Sequence, residues 1–201
     1  MMRLIKLFMA ASSIWLAACA GNPMVVSADQ TVTAPGPDKA QIVFMRSSFY
    51  GSAINASLFE VKDEQNEFIG IMANGTKIVK EVEPGEHLFM VVSEAADFMK
   101  AELEGGKTYY AMVTPRMGAW KARFSFQPIK KEADNDFSTS SDEFGDWVTN
   151  TKLVENSETS LLWARNHAAS IDSKRDSYIA KWLSKDADEI ARQTLEATDG
   201  L

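Results

Sequence analysis

Thr76-Lys77-Ile78-Val79-Lys80-Glu81-Val82-Glu83-Pro84-Gly85-Glu86-His87-Leu88-Phe89-Met90-Val91-Val92-Ser93 holds two apolar runs joined at a Pro-Gly pair. Each run is short, and Leu88, Met90 and Val92 fall on alternate positions, the period of a pleated strand with one face inward. Pro84-Gly85 supplies a proline-led turn between them. The unit reads as two strands, Thr76–Val82 and His87–Ser93, and the same grammar repeats on both sides.

Upstream, Gln41–Arg46, Ala53–Val61 and Glu67–Met72 are runs of the same kind. Downstream come Phe98–Leu103, Thr108–Val113 and Lys121–Gln127. Ile42 and Phe44 alternate, as do Phe124 and Phe126 against Arg123 and Ser125. Asn74-Gly75 offers the positive φ of a tight turn, and Gly105-Gly106 punctuates the later pair. No window here carries a 3.6-residue apolar stripe without a glycine or proline cutting it. Strands recurring at roughly ten-residue intervals predict a mainly β domain, an antiparallel β-sandwich, over residues 40–130.

The flanks differ in composition. Residues 131–157 are polar and acidic, with Asp134, Asp136, Asp142, Glu143 and Asp146, and read as a linker. Over 158–199, Leu161, Ala164, Ala168, Ile171, Tyr178 and Trp182 fall on one helical stripe. A C-terminal amphipathic helix is expected there, opened at Ser157 or Glu158, continuous through Asp172–Ser177, with a second start at Asp186. Docking on the sandwich is the safer place for its apolar face, which would otherwise be an aggregation hazard.

At the other end, Arg3 and Lys6 precede an apolar run from Leu7 to Ala18, too short to span a bilayer and of the length of a signal-peptide core. Leu16-Ala17-Ala18-Cys19 resembles the lipobox of bacterial lipoproteins. The resemblance implies a signal peptide over 1–18, three acyl chains on Cys19, and, with Ala20 rather than aspartate next, outer-membrane sorting. One chain holds only reversibly, whereas two or more hold stably. Residues 19–39, with Pro23, Pro35, Gly36 and Pro37, then read as the acylated N-terminus and a tether.

Within 40–130, Phe44-Met45-Arg46, Ile69-Gly70, Asn74-Gly75, Glu83-Pro84-Gly85-Glu86-His87 and Gly106-Lys107-Thr108-Tyr109-Tyr110 follow in order. This succession resembles small bacterial lipoproteins carrying a β-sandwich domain of unknown function, akin to PEGA-type envelope modules. The resemblance implies a fold and an envelope address, and carries over no catalytic residue.

The chain has 21 basic against 28 acidic residues, and the leader would remove two of the basic ones. That acidity argues against nucleic acid and against a polybasic grip on anionic lipid. Cys19 is the single cysteine, so with its sulfur acylated there is no disulfide, thiolate nucleophile or cysteine metal site. His87 and His167 are the only histidines, too few for a zinc site. Asp134, Asp136, Ser138, Ser140 and Asp142 mimic an EF-hand loop, but Thr139 replaces the required glycine and Gly145 the bidentate glutamate. Met45, Met72, Met90, Met99 and Met112 fall in predicted strands or at their edges, where packing explains them better than copper does. No Gly-x-Ser-x-Gly elbow is present. Glu81, Glu83 and Glu86 cluster near a turn in the manner of solvated charges. No catalytic residue, metal or cofactor is assigned.

Of Tyr109 and Tyr110, one faces inward and one outward. Tyr110 with Trp120 forms the candidate binding face, suited to a glycan or an envelope protein. The expected function is that of a lipid-anchored, periplasm-facing, non-catalytic binding or scaffolding module. The competing readings are a small-molecule binder or enzyme with a pocket between sandwich and helix, and a surface adhesin or stalk.

Overall fold

The computed structural model describes residues 22–116 and 123–201. Cys19 and Trp120 lie outside the described residues. The eight expected strands are present as β2 (Ala40–Arg46), β3 (Ala56–Lys62), β4 (Gln65–Met72), β5 (Thr76–Val82), β6 (Gly85–Val92), β7 (Ala96–Leu103), β8 (Thr108–Arg116) and β9 (Arg123–Ile129). Three short strands join them: β1 (Val25–Val26), β10 (Lys152–Glu155) and β11 (Thr194–Leu195). One sheet runs β1-β10-β5-β2-β8-β9 and the other β11-β7-β6-β3-β4. The two face each other in a sandwich-like arrangement, with Phe44 of β2 edge-on to Phe89 of β6 at 5.2 Å between ring centroids. Such edge contacts between the inner faces suit the aromatic quadrupole.

The expected all-antiparallel pairing is corrected. β2 pairs with β8 in parallel, as do β5 with β10 and β7 with β11, so both sheets are mixed. A period-two pattern tells which face of a strand is buried; it carries no information on the direction of a neighbour that arrives from far along the chain. β2 is buried along its whole length, because it sits inside its sheet with both faces covered.

Those covers come from the flanks. α1 (Asp142–Asn150) is capped by the Ser141 side chain, which accepts from the Phe144 amide. It lays Phe144, Trp147 and Val148 over Val43, Met45 and Met112 on the outer face of the first sheet. The stretch expected to be an acidic linker, with Phe144 and Trp147 able to pin it to the sandwich, is pinned by those two residues and also holds a helix and the inserted strand β10. On the opposite face α2 (Glu158–Leu183) covers Phe59, Met90 and Phe98 with Ile171 and Trp182. The layers are helix, sheet, sheet, helix.

α2 is continuous through Asp172–Ser177, as its pattern predicts, and opens on a reciprocal cap between Ser157 and Ser160. Its buried residues, Ser160, Ile171 and Trp182, recur about every three turns. Leu161, Leu162 and Leu183 stay exposed, so the docked face is rotated from the predicted stripe toward Trp163. The second start at Asp186 gives only the short α3 (Ala187–Arg192). Beyond it Leu195 is not helical; it enters β11 and is fully buried.

The expected tether is corrected as well. Residues 22–39 lie on the body of the protein: Met24 plugs the core, β1 pairs with β10, and Gln30 bonds the Leu153 backbone through both its amide oxygen and nitrogen. Further along, Gly105 meets the strap so closely that a Cβ would stand 2.3 Å from the Pro37 carbonyl oxygen. Sequence polarity had suggested a solvated segment, but a few apolar anchors and backbone pairing suffice to hold it. No helix among the described residues is long and apolar enough to cross a membrane.

Candidate functional site: a cleft between the sandwich and its helix

At one end of the molecule α2 and the five-stranded sheet diverge around a cleft of about 780 Å³. That is within the size range of small-molecule sites, roughly 300–1,000 Å³. Its base is apolar: Ala56, Ile71 and Val92 come from β3, β4 and β6, and Ile171 from α2. Each of these four is at most 5% exposed. Trp163 forms a wall, stacked on His167 at 4.4 Å between ring centroids. The imidazole is fixed further by the contact of His167 Nδ1 with the Trp163 carbonyl, 2.7 Å away.

The rim is polar. Lys174 donates to the Ser93 carbonyl and so ties the helix to the β6–β7 turn across the opening. Asn22 and Pro23 complete the rim from the strap, and Ile54 and Asn55 from the loop before β3. Ser157 Oγ donates to the Pro23 carbonyl at 2.5 Å, locking the strap to the start of α2. Among the described residues that line the cleft, Glu94 is the single carboxylate. Acid–base hydrolysis by paired carboxylates needs two at a fixed separation, and the cleft does not bring a second one in. Such a cavity can take an apolar body while its rim meets a polar end.

Ile171 was legible as part of the helical stripe, whereas Trp163 lies off that stripe and reaches the cleft because the docked face is rotated. Lys174 was not legible, because it lies in a polar stretch whose contacts depend on how the helix crosses the sheet. Ile54 was assigned to a strand; the strand starts two residues later and leaves it on a loop.

The sequence-predicted face is used differently. Tyr109 points inward and is fully buried, donating to the Ala197 carbonyl and accepting from the Glu104 amide. Tyr110 points outward but lies under α1, its ring edge-on to Phe144 at 4.9 Å. Burial raises its phenol pKa. The ring is thus part of the packing beneath α1.

Two polar clusters lie elsewhere. Glu60, 1% exposed, holds His87 Nδ1 at 2.7 Å and Lys62 at 2.9 Å. Asp97 accepts from Gln193 at 3.0 Å, with Arg116 and Lys185 at 3.6 and 3.7 Å, and fixes α3 against β7. Both clusters pair their charges internally. The expected calcium-like loop closes on itself, with Asn135 accepting from the Phe137 amide and Ser141 donating to the Asp136 carbonyl. Among the described residues no three metal-ligating side chains converge.

No family model and no curated protein matches this chain.

Proposed function

We propose that the chain is a lipid-anchored protein of the bacterial envelope, held through Cys19 on the periplasmic side of the outer membrane, whose folded part is a non-catalytic binding module. The cleft between the sandwich and α2 is its ligand site, and the ligand is a small molecule with an apolar body. The observation that carries this reading is the apolar base of Ala56, Ile71, Val92 and Ile171 beneath a polar rim. A lone carboxylate in the lining favours binding over hydrolysis. The lipobox resemblance and the likeness of residues 40–130 to PEGA-type envelope modules support the address.

The test is photo-crosslinking in living cells with p-benzoylphenylalanine in place of Ser170, an exposed position on the cleft wall. An adduct on an apolar small molecule or acyl chain is expected. A bare cleft, or adducts on other polypeptides alone, overturns the reading.

A further inference from the structure

Between β2 and β3 the chain makes a nine-residue loop, 47–55, that carries no charged residue, in a protein in which 24% of residues are charged. Its tip displays Phe49 at 100% exposure and Tyr50 at 60%, with Ile54 at 44% behind them. Single exposed apolar residues need no explanation, but a cluster on one turn does.

The loop is firmly built. Arg46, with no exposed surface, donates to the carbonyls of Gly51, Ile54 and Met72 at 2.6, 2.6 and 3.0 Å. Its guanidinium also stacks 4.4 Å from the Phe124 ring centroid. Ser48 is tied at both ends, its amide to the Asn74 side chain and its hydroxyl to the Tyr50 carbonyl. Gly51 takes a φ of +67° to close the turn, against Pro115. A buried cation and a left-handed residue thus hold two aromatic rings out into solvent. Nothing in the packing of the core requires them there.

The position of the loop identifies what the rings meet. Ile54 and Asn55 share the cleft rim with Asn22 and Pro23, so the loop and the start of the strap occupy one end of the sandwich. Cys19 is three residues before Asn22, a span of roughly 10 Å at most. With the strap docked, no long tether separates this end from the acylated sulfur.

We infer that the 47–55 loop is a second membrane contact, which seats Phe49 and Tyr50 in the lipid interface beside the acyl anchor and orients the cleft toward the bilayer. Tyr50, a ring with a polar tip, favours that zone, Phe49 adds apolar area that gains by leaving water, and the loop brings no charge whose desolvation would oppose approach. This inference rests on the proposed acylation of Cys19.

The test uses the full-length acylated protein in vesicles of phosphatidylethanolamine and phosphatidylglycerol. With the native sulfur acylated, Phe49→Cys gives a single free thiol for the environment-sensitive dye NBD. Glu86→Cys, exposed at the opposite end of the sandwich, is the control. The expected result is a blue-shifted emission at position 49, quenched several-fold by nitroxide lipids, with the control unquenched. Emission at 49 as water-exposed as at 86, in protein whose mass shows acylation, overturns the loop contact and leaves the anchor standing. A mass without acyl chains overturns the anchor and the loop contact together. Burial of position 49 only when another envelope protein is added assigns the loop to a protein partner and overturns the membrane assignment. Because Phe49 is fully exposed, the substitution removes no core contact, and an unchanged melting temperature verifies this.

Discussion

Glu60 and His87 stand on neighbouring strands, β3 and β6, with Oε1 of one 2.7 Å from Nδ1 of the other. The second imidazole nitrogen reaches the Glu83 carbonyl at 2.8 Å. Burial acts against the carboxylate, but His87 and Lys62 outweigh it and hold the Glu60 pKa below its usual 4.5. A carboxyl depressed in the folded state stabilises the fold above its unfolded pKa, and that contribution disappears as pH falls through the folded value. Glu60→Gln is expected to cost roughly 1–3 kcal/mol at pH 7, the range for breaking a buried charged hydrogen bond. Urea denaturation at neutral pH and at pH 3 checks this: the gap between parent and variant narrows in acid.

Arg46 is a buried cation, and burial lowers its pKa to about 10, so it remains charged at neutral pH. Among the described residues no carboxylate pairs with it; its partners are three carbonyls and the Phe124 ring. The planar guanidinium can serve these together, whereas a lysine ammonium is a point donor. Arg46→Lys is therefore expected to lose roughly 2–3 kcal/mol through unsatisfied buried carbonyls. Hydrogen exchange of the Ile54 amide, which bonds Gly51 across the loop, accelerates with it. Protection equal to that of the parent would remove Arg46 as the builder of the loop.

Trp182 packs against Phe98 with ring centroids 5.9 Å apart, and its indole nitrogen donates to Gln193 at 3.1 Å. It closes the far end of the outer cluster that Ile171 closes near the cleft. Trp182→Ala leaves a cavity, while Gln193 keeps Lys185 and Asp97 as partners, at a cost of about 3–5 kcal/mol. A chain ending at Ser157 exposes the whole cluster of Phe59, Met90 and Phe98. Its melting temperature falls well below that of the full chain, and it aggregates on concentration. An unchanged melting temperature would detach α2 from the stability of the sandwich.

The strands were legible because alternation and turn chemistry are local. Gly75 and Gly106 take φ of 73° and 78° where the predicted turns need them. Met45, Met72, Met90, Met99 and Met112 are buried as strand packing requires. What was not legible is long-range. Val43 lies beside Tyr110 in a parallel pair, and Thr76 beside Lys152, through contacts between chain segments far apart in sequence. The strap and α1 were hidden for a related reason. Met24 anchors the strap, and Phe144, Trp147 and Val148 anchor α1 within a polar window; so few apolar residues mark a pinning point but give no period long enough to read as an element. The cleft exists only where these long-range pieces meet, so Ile171 was visible as an apolar helix residue and invisible as a lining residue.

The strap gives the last prediction. Met24 sits over Gly70, where a Cβ would come within 2.8 Å of both the Met24 methyl and Ile78 Cδ1. The Met24 sulfur also accepts from the Ile71 amide at 3.3 Å. Gly70→Ala therefore displaces Met24 rather than filling a void, and because the methionine end is flexible the global cost is modest, about 1–2 kcal/mol, within the usual range for overpacking. The local effect is larger. Loss of the plug frees β1 from β10, so exchange of the Ser27 amide, bonded to the Leu153 carbonyl at 2.9 Å, rises more than that of β2. Met24→Ala should reproduce the same loosening with no clash at all, since it removes the side chain that Gly70 accommodates. Equal protection of Ser27 in both variants and the parent would mean that the strap is held by backbone pairing alone.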